Sequence, residues 1–477
     1  MRSCRPSCGS GQGQPPYRRA VAAAIPARGP GNTSRQGSLI QLRSRALNAL
    51  SSLRRHFTPA QINIYFSIGC FFSPPVLGSA VSFVFHGGAL WSVMLLALKR
   101  RRLNIDRPML AMTIAIYAYC AAVVLASIVN GTLEADFRFF LPLVTLMFFP
   151  ISYSTWSITD KTTLARSAVL ASAAACIGAL ALAIVQYYRI GIRAEGGAGN
   201  AIVFATVTCL AVATSLAGPL SGIERRNWKR LAVAALAGTV AILYSGSRII
   251  WLALLLAVIA VLLINRSRLG GPKLRRLAMI AGAAGMAVAA IGFPVFMDRA
   301  DFLFSDWTAL ATKGDHSTAL GLRVAMWEIG AEAFRNAPIF GHGITASREL
   351  MKQGFHDQFA MEQGFNHFHN GFLTALVEAG LLGAIALVAI FVVAVWNAAR
   401  VLRASAEATE RLGATMVIVT VITYLVGGLT GILLGHDILD ATLMVFLVSG
   451  TYLACGRTVS PTGKSAPAVA PSAGQLR

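Results

Sequence analysis

The sequence predicts an all-α polytopic membrane protein, with about 12 transmembrane helices and one large periplasmic loop that contains short helices. Three observations carry this reading. Of the 477 residues, 55% are hydrophobic and only 13% charged, about half the charged share of a soluble globular chain. The apolar residues are gathered into long runs, and a run of about 20 spans the hydrocarbon core as a helix. The basic residues, finally, alternate from loop to loop as cytoplasmic and outer segments do. A disordered or fibrous chain is excluded on the same composition. The excess of 42 Lys and Arg over 20 Asp and Glu gives a net charge of +22. In a soluble protein this would point to nucleic acid; here it marks basic loops, so membrane lipids are expected as partners and nucleic acid is not.

Residues 1–60 hold ten arginines among Gly, Pro and Ser and predict a disordered cytoplasmic tail. Their longest apolar stretch, 21–26, is too short for a signal-peptide core. The run 62–98 exceeds one span, and Pro74-Pro75 predicts a break into two short helices with a turn on the far side. Further spans are expected at 108–129, 139–156, 164–188, 200–219, 231–244, 249–264 and 277–296, so that 61–296 holds nine. Residues 297–370 predict a periplasmic cap, because a structureless loop of that length is uncommon and 320–335 has a helical pattern followed by Pro338 and the Gly341-His342-Gly343 turn. Spans at 372–396, 414–434 and 438–455 complete residues 371–456, and 457–477 form a second cytoplasmic tail. With both termini inside, 32 basic residues fall in cytoplasmic segments and ten outside. The seven cysteines show no metal-like C-x-x-C; five sit in apolar runs, and no disulfide is expected.

Candidate chemistry lies on the outer face. Arg248 occupies the tight Ser245-Gly246-Ser247-Arg248 turn. Arg323 lies on the cap helix one turn before Trp327. Arg193 introduces the glycine-rich entry Gly196 to Asn200, whose backbone N–H groups at a helix start suit an anion, and Arg138 begins the fourth span. Each has a plain alternative: an interfacial snorkelling arginine, a solvated helix face or a flexible loop. Arginine grips phosphate oxygens bidentately and stays charged, so the four together suit a diphosphate on a membrane lipid. His367 and His369 precede the tenth span, where the positive end of a helix favours neutral imidazole, the form a general base needs. Their alternative is a pair of interfacial hydrogen-bonding histidines. A zinc site is the weaker reading, since H-x-H has no third ligand at clear spacing. Glu378, half a helical circle from His369, reads as a packing residue, and Gly380 and Gly383 as places where a neighbouring helix comes close.

Together, Arg323 with Trp327, Asn336-Ala-Pro338-Ile-Phe-Gly341-His-Gly343, and His369-Asn370-Gly-Phe372-Leu373 with Glu378-Ala-Gly380-Leu-Leu-Gly383 resemble the O-antigen ligase and polymerase superfamily of bacterial envelope glycosyltransferases. The Ser245 to Arg248 turn and the Arg193 to Asn200 entry match its other recurrent stretches, with Ala201 where the family has proline. The likeness extends over about 60–456. It implies an inner-membrane enzyme with its active site facing the periplasm. Such enzymes transfer a glycan from an undecaprenyl-diphosphate-linked donor to an acceptor hydroxyl, with no cofactor or metal. It also implies a base role for His369, diphosphate contacts for Arg248 and Arg323, and a supporting place for His367 and Asn370. Ligation of O-antigen to lipid A-core is the leading expectation. Polymerisation of lipid-linked repeats is the alternative; a polysaccharide transporter or flippase is a third reading, opposed by the lack of charged residues at helix midplanes.

Overall fold

A computed structural model of the chain describes residues 58–99, 101–268, 270, 271 and 300–459, with positions 282, 285, 290, 293 and 297 between. The expected tails and the expected span at 277–296 lie outside the described residues, apart from a few positions. Regular structure among the described residues is helical: α1 (Pro59–Leu77), α2 (Ala80–Ala97), α3 (Arg107–Val129), α4 (Leu133–Trp156, in several short segments), α5 (Lys161–Val185), α6 (Ala201–Ser221), α7 (Trp228–Ser245) and α8 (Arg248–Asn265) come first. They are followed by α9 (Ala319–Asn336), α10 (Ala346–Phe359), α11 (Gly371–Ala404), α12 (Ala408–Gly428) and α13 (Asp437–Cys455). Nine segments among the described residues are long and apolar enough to cross a membrane: α2, α3, α4, α5 with its extension to Ile190, α6, α8 with its extension to Arg268, and α11 to α13. Two more expected spans are present as the helices α1 and α7, outside those nine.

Side-chain chemistry starts the helices where the sequence supplies it. Thr58 and Gln61 form a capping box on α1. Asp106, Asp160 and Thr318 accept backbone N–H groups of Met109, Thr163 and Gly321 at the starts of α3, α5 and α9, satisfying donors that the first helical turn leaves open.

The centre of the bundle is α6, α12 and α13, whose most apolar windows are 89%, 78% and 94% buried, against 33% for α2 and α8. These three are rich in small and hydroxyl-bearing residues, which let backbones approach where lipid gives no hydrophobic drive. Several of their hydroxyls are satisfied within their own helices: Thr208, Ser215, Thr420 and Ser449 donate to the carbonyls of Phe204, Ala211, Met416 and Val445. The helices α2, α8 and α11 turn large side chains such as Trp91, Leu255 and Ile385 outward.

Two expectations are corrected here. The break between the first two helices does not fall at Pro74-Pro75, which are inside α1. It falls at Gly78, with φ 56°, a conformation available to glycine. A β-carbon there would come within 2.0 Å of the Gly197 carbonyl oxygen, so the break sits where the glycine-rich entry of α6 presses on it. Both prolines are accommodated within the helix, whereas the chain turns at Gly78. The expected span at 414–434 is also displaced. Its helix ends at Gly428, and the chain then turns through Gly435, whose N–H donates to the Asp440 carboxylate at 3.1 Å.

Within the cap, α9 matches the expected 320–335 helix, but α10 was not anticipated. Met351 and Phe355 of α10 pack with Met326, Ile329 and Ala333 of α9, and Phe368 and Val377 join the same small core.

Candidate active site

The motif residues around Gly380 prove to be a docking joint between cap and bundle. Gly380 breaks α11 with φ 62° and ψ −165°, a region essentially restricted to glycine. In an unbroken helix the N–H groups of Leu381 and Leu382 would bond the carbonyls of Val377 and Glu378. Instead Leu381 N–H donates to Pro338 O at 2.8 Å and Leu382 N–H to Ile339 O at 3.3 Å, while the two freed carbonyls accept His342 N–H at 2.8 Å and Gly343 N–H at 3.0 Å. The close approach at Gly380 is thus to a loop, not to a neighbouring helix as the spacing had implied: a β-carbon would lie 2.2 Å from Ile339 O. Gly383 has room for no β-carbon either, because at the kink it would meet that of Ala379. Glu378 is indeed turned to packing, accepting a hydrogen bond from Ser347 Oγ of α10 at 2.7 Å. Asp136 of α4 accepts hydrogen bonds from Thr132 and from Thr345, just before α10.

With the cap fixed in this way, several expected residues come together at one end of the bundle. His369 has φ 47°, an uncommon left-handed conformation for a residue with a side chain. It is followed at once by Asn370, whose Oδ1 accepts the N–H groups of Phe372 and Leu373 at 3.1 Å each and so starts α11. The His367 and His369 rings lie 4.4 Å apart between centroids, and Phe365 links His369 at 6.0 Å to Phe355 of the cap core. Burial pushes His369 down to about 4, with the charges of His367 and Arg323 adding to it. Neutral imidazole is therefore favoured, first by burial and then by His367 and Arg323. Arg323, half-buried, is lowered by burial and then by Arg248. Arg248, Arg323, His369 and His367 thus form one electrostatic group. Nδ1 of His369 and Nε1 of Trp327 are both buried without a hydrogen-bond partner among the described residues.

Sequence reasoning missed His436. It stands before α13, is lowered by burial, and adds to the burial that lowers His367. The signal was its place at the start of a span, beside Asp437.

The other two arginines stand differently. Arg193 donates from Nε to Ser245 O at 2.8 Å, tying the glycine-rich entry to the turn that carries Arg248. Four backbone N–H groups in and beside that entry already have partners. Those of Glu195 and Gly196 donate to Gln186 Oε1 at 2.8 Å, and those of Ile202 and Val203 to Asn200 Oδ1. Arg138 is exposed, with its guanidinium 5.8 Å from the centre of the Phe139 ring, and among the described residues no hydrogen bond or ion pair joins it to the group above. Of the remaining loop histidines, His342 bonds Ala333 O at 2.8 Å, His356 pairs with Asp357 at the surface, and His316 rests on Phe359.

The segment that carries the turn, the cap and the joint also matches a known family. Residues 231–388 match the O-antigen ligase family. The O-antigen ligase match takes in Arg248, Arg323, His367, His369, Asn370 and the whole Gly380 joint, and leaves out Arg138, Arg193 and His436. It is narrower than the 60–456 over which the motifs had suggested a likeness. Exopolysaccharide production protein ExoQ of Rhizobium meliloti is 32% identical over 130 residues, 26% of this chain and 27% of that protein. An uncharacterized protein of Haemophilus influenzae is 40% identical over 88 residues, 18% of this chain and 22% of that protein. The chain thus spans about a quarter of the length of each of these relatives.

Proposed function

We propose that this protein transfers a glycan from undecaprenyl diphosphate to an acceptor hydroxyl at the periplasmic face of the inner membrane, in the manner of O-antigen ligation to lipid A-core. The observation that carries the reading is the grouping of Arg248 and Arg323 with His369, whose imidazole is held neutral. The arginines grip the diphosphate and offset the negative charge that grows as it departs. His369 accepts the proton of the acceptor hydroxyl while that oxygen bonds to the anomeric carbon. The carbon–oxygen bond to the diphosphate breaks, and undecaprenyl diphosphate leaves with the electron pair. Asn370 fixes the backbone that holds His369, and His367 packs beside it.

Polymerisation of lipid-linked repeats is the second reading, favoured by the similarity to ExoQ, an exopolysaccharide production protein. A surface-polysaccharide gel of a deletion strain separates the two: loss of all capped lipid A-core is expected for a ligase, and a cap of a single repeat for a polymerase. An unchanged ladder would refute both.

The proposed topology has twelve spans, cytoplasmic termini and a periplasmic cap at 297–370, supported by the 32 to 10 division of basic residues. An impermeant thiol reagent is expected to label a cysteine introduced near Lys352 and to spare one near Arg225. The reverse pattern would invert the topology and remove the site from the periplasm.

A further inference from the structure

The end of α5 is not α-helical. Residues Gln186–Ile190 form a π-turn, a rare departure that is frequent at functional sites. It carries Tyr187 and Tyr188, and Tyr244 stands at the end of α7. The three rings make one cluster, with centroids 5.1 Å (187 to 188), 4.9 Å (187 to 244) and 5.8 Å (188 to 244) apart. Tyr188 is 65% exposed and Tyr187 38%.

Two features set this cluster apart from an interfacial aromatic belt, in which rings anchor the protein at headgroup level. The hydroxyls of Tyr188 and Tyr244 are 2.9 Å apart and bonded to each other, so two of the three polar tips are engaged within the cluster. The cluster is also built on the same scaffold as the arginine turn. Gln186, first residue of the π-turn, holds the backbone of Glu195 and Gly196. That loop then reaches back to Tyr244 O through Ala194 N–H at 3.1 Å and to Ser245 O through Arg193. Arg248 lies four residues beyond Tyr244.

We propose that Tyr187, Tyr188 and Tyr244 form a stacking platform for the sugar rings of the lipid-linked donor, those nearest its diphosphate; this rests on the reading of Arg248 as a diphosphate contact. The C–H faces of a pyranose are weakly positive and apolar, and they pack on the negative faces of aromatic rings. A donor whose diphosphate sits at Arg248 has its first sugars beside this scaffold. The platform would then select for the glycan, while the arginines hold any polyprenyl diphosphate.

The test uses the purified full-length protein in detergent and two probes, undecaprenyl diphosphate bearing the host's glycan repeat and bare undecaprenyl diphosphate. Wild type is expected to bind the glycan-bearing probe more tightly. Tyr187→Ala with Tyr188→Ala should weaken that probe about 10-fold, as expected for stacking worth about 1.4 kcal/mol, and leave the bare probe unchanged. Unchanged binding of the bare probe also shows that the variant is folded. Tyr188→Leu keeps bulk and apolarity and should show the same selective loss. Equal weakening of both probes would mean a lipid anchor, and no change in either would mean no platform; each overturns the proposal. Arg248→Lys should weaken both probes alike. If it changes neither while the tyrosine variants still lose glycan preference, the diphosphate reading fails and the platform stands.

Discussion

His369→Ala is expected to abolish glycan transfer while leaving donor affinity largely intact. A positioned general base contributes about 10²- to 10⁴-fold, and a neutral imidazole brings no charge to hold the diphosphate. Because His369 occupies a left-handed backbone conformation, alanine also strains the chain. His369→Asn is the better variant, since asparagine tolerates that conformation yet offers no base. It should be equally inactive, and His367→Ala should be milder. The pH profile gives a second reading. With His369 pushed down to about 4, the neutral form persists as pH falls. The acid limb of kcat/KM should therefore lie near pH 4, below the 6.5 of an unperturbed histidine. Single-turnover transfer from a lipid-linked donor, measured beside donor affinity, decides the matter. Transfer by His369→Asn at the wild-type rate, or donor affinity falling in step with activity, would show that His369 is not the base.

Arg248→Lys and Arg323→Lys come next in size. Lysine keeps the charge but loses the planar fork that meets two phosphate oxygens at once. The loss of one charge-assisted hydrogen bond, about 1.5 to 3 kcal/mol, predicts a fall of about 10- to 100-fold at limiting donor. The two arginines act on one another, so the double variant should fall short of the product of the single effects. Near-normal turnover by both single variants, at unchanged protein levels, would make these residues interfacial anchors and sink the diphosphate assignment.

Much of this arrangement was legible because each feature was local. Apolar length gave the spans, Pro338 and the glycine turn bounded α9, and Arg248, Arg323 and His369 stood out by type and neighbourhood. What was not legible depends on distant chain. Leu350, Met351, Phe355 and Phe359 are the large apolar residues of an otherwise polar stretch, so α10 shows itself when α9 supplies a surface for them. Two prolines read as a stronger break than one glycine, and nothing local reveals that Gly197 crowds Gly78. The N–H groups of the 195–203 entry looked available because Gln186 lies several residues upstream. His436 was passed over because its partner, His367, is far away in sequence.

The four backbone hydrogen bonds exchanged at Gly380 impose an order on biosynthesis. Residues 338–343 are made before 377–382, and during that interval the carbonyls of Pro338 and Ile339 and the N–H groups of His342 and Gly343 lack the partners they finally hold. The cap is therefore closed from its C-terminal side, by the first turns of the following span. A fragment ending before residue 382 keeps the sequence of both cap helices but loses the clasp that seats them. The cap is in this sense unfinished until α11 has been synthesised, and His369, which lies between the two halves of the clasp, reaches its place at the same moment.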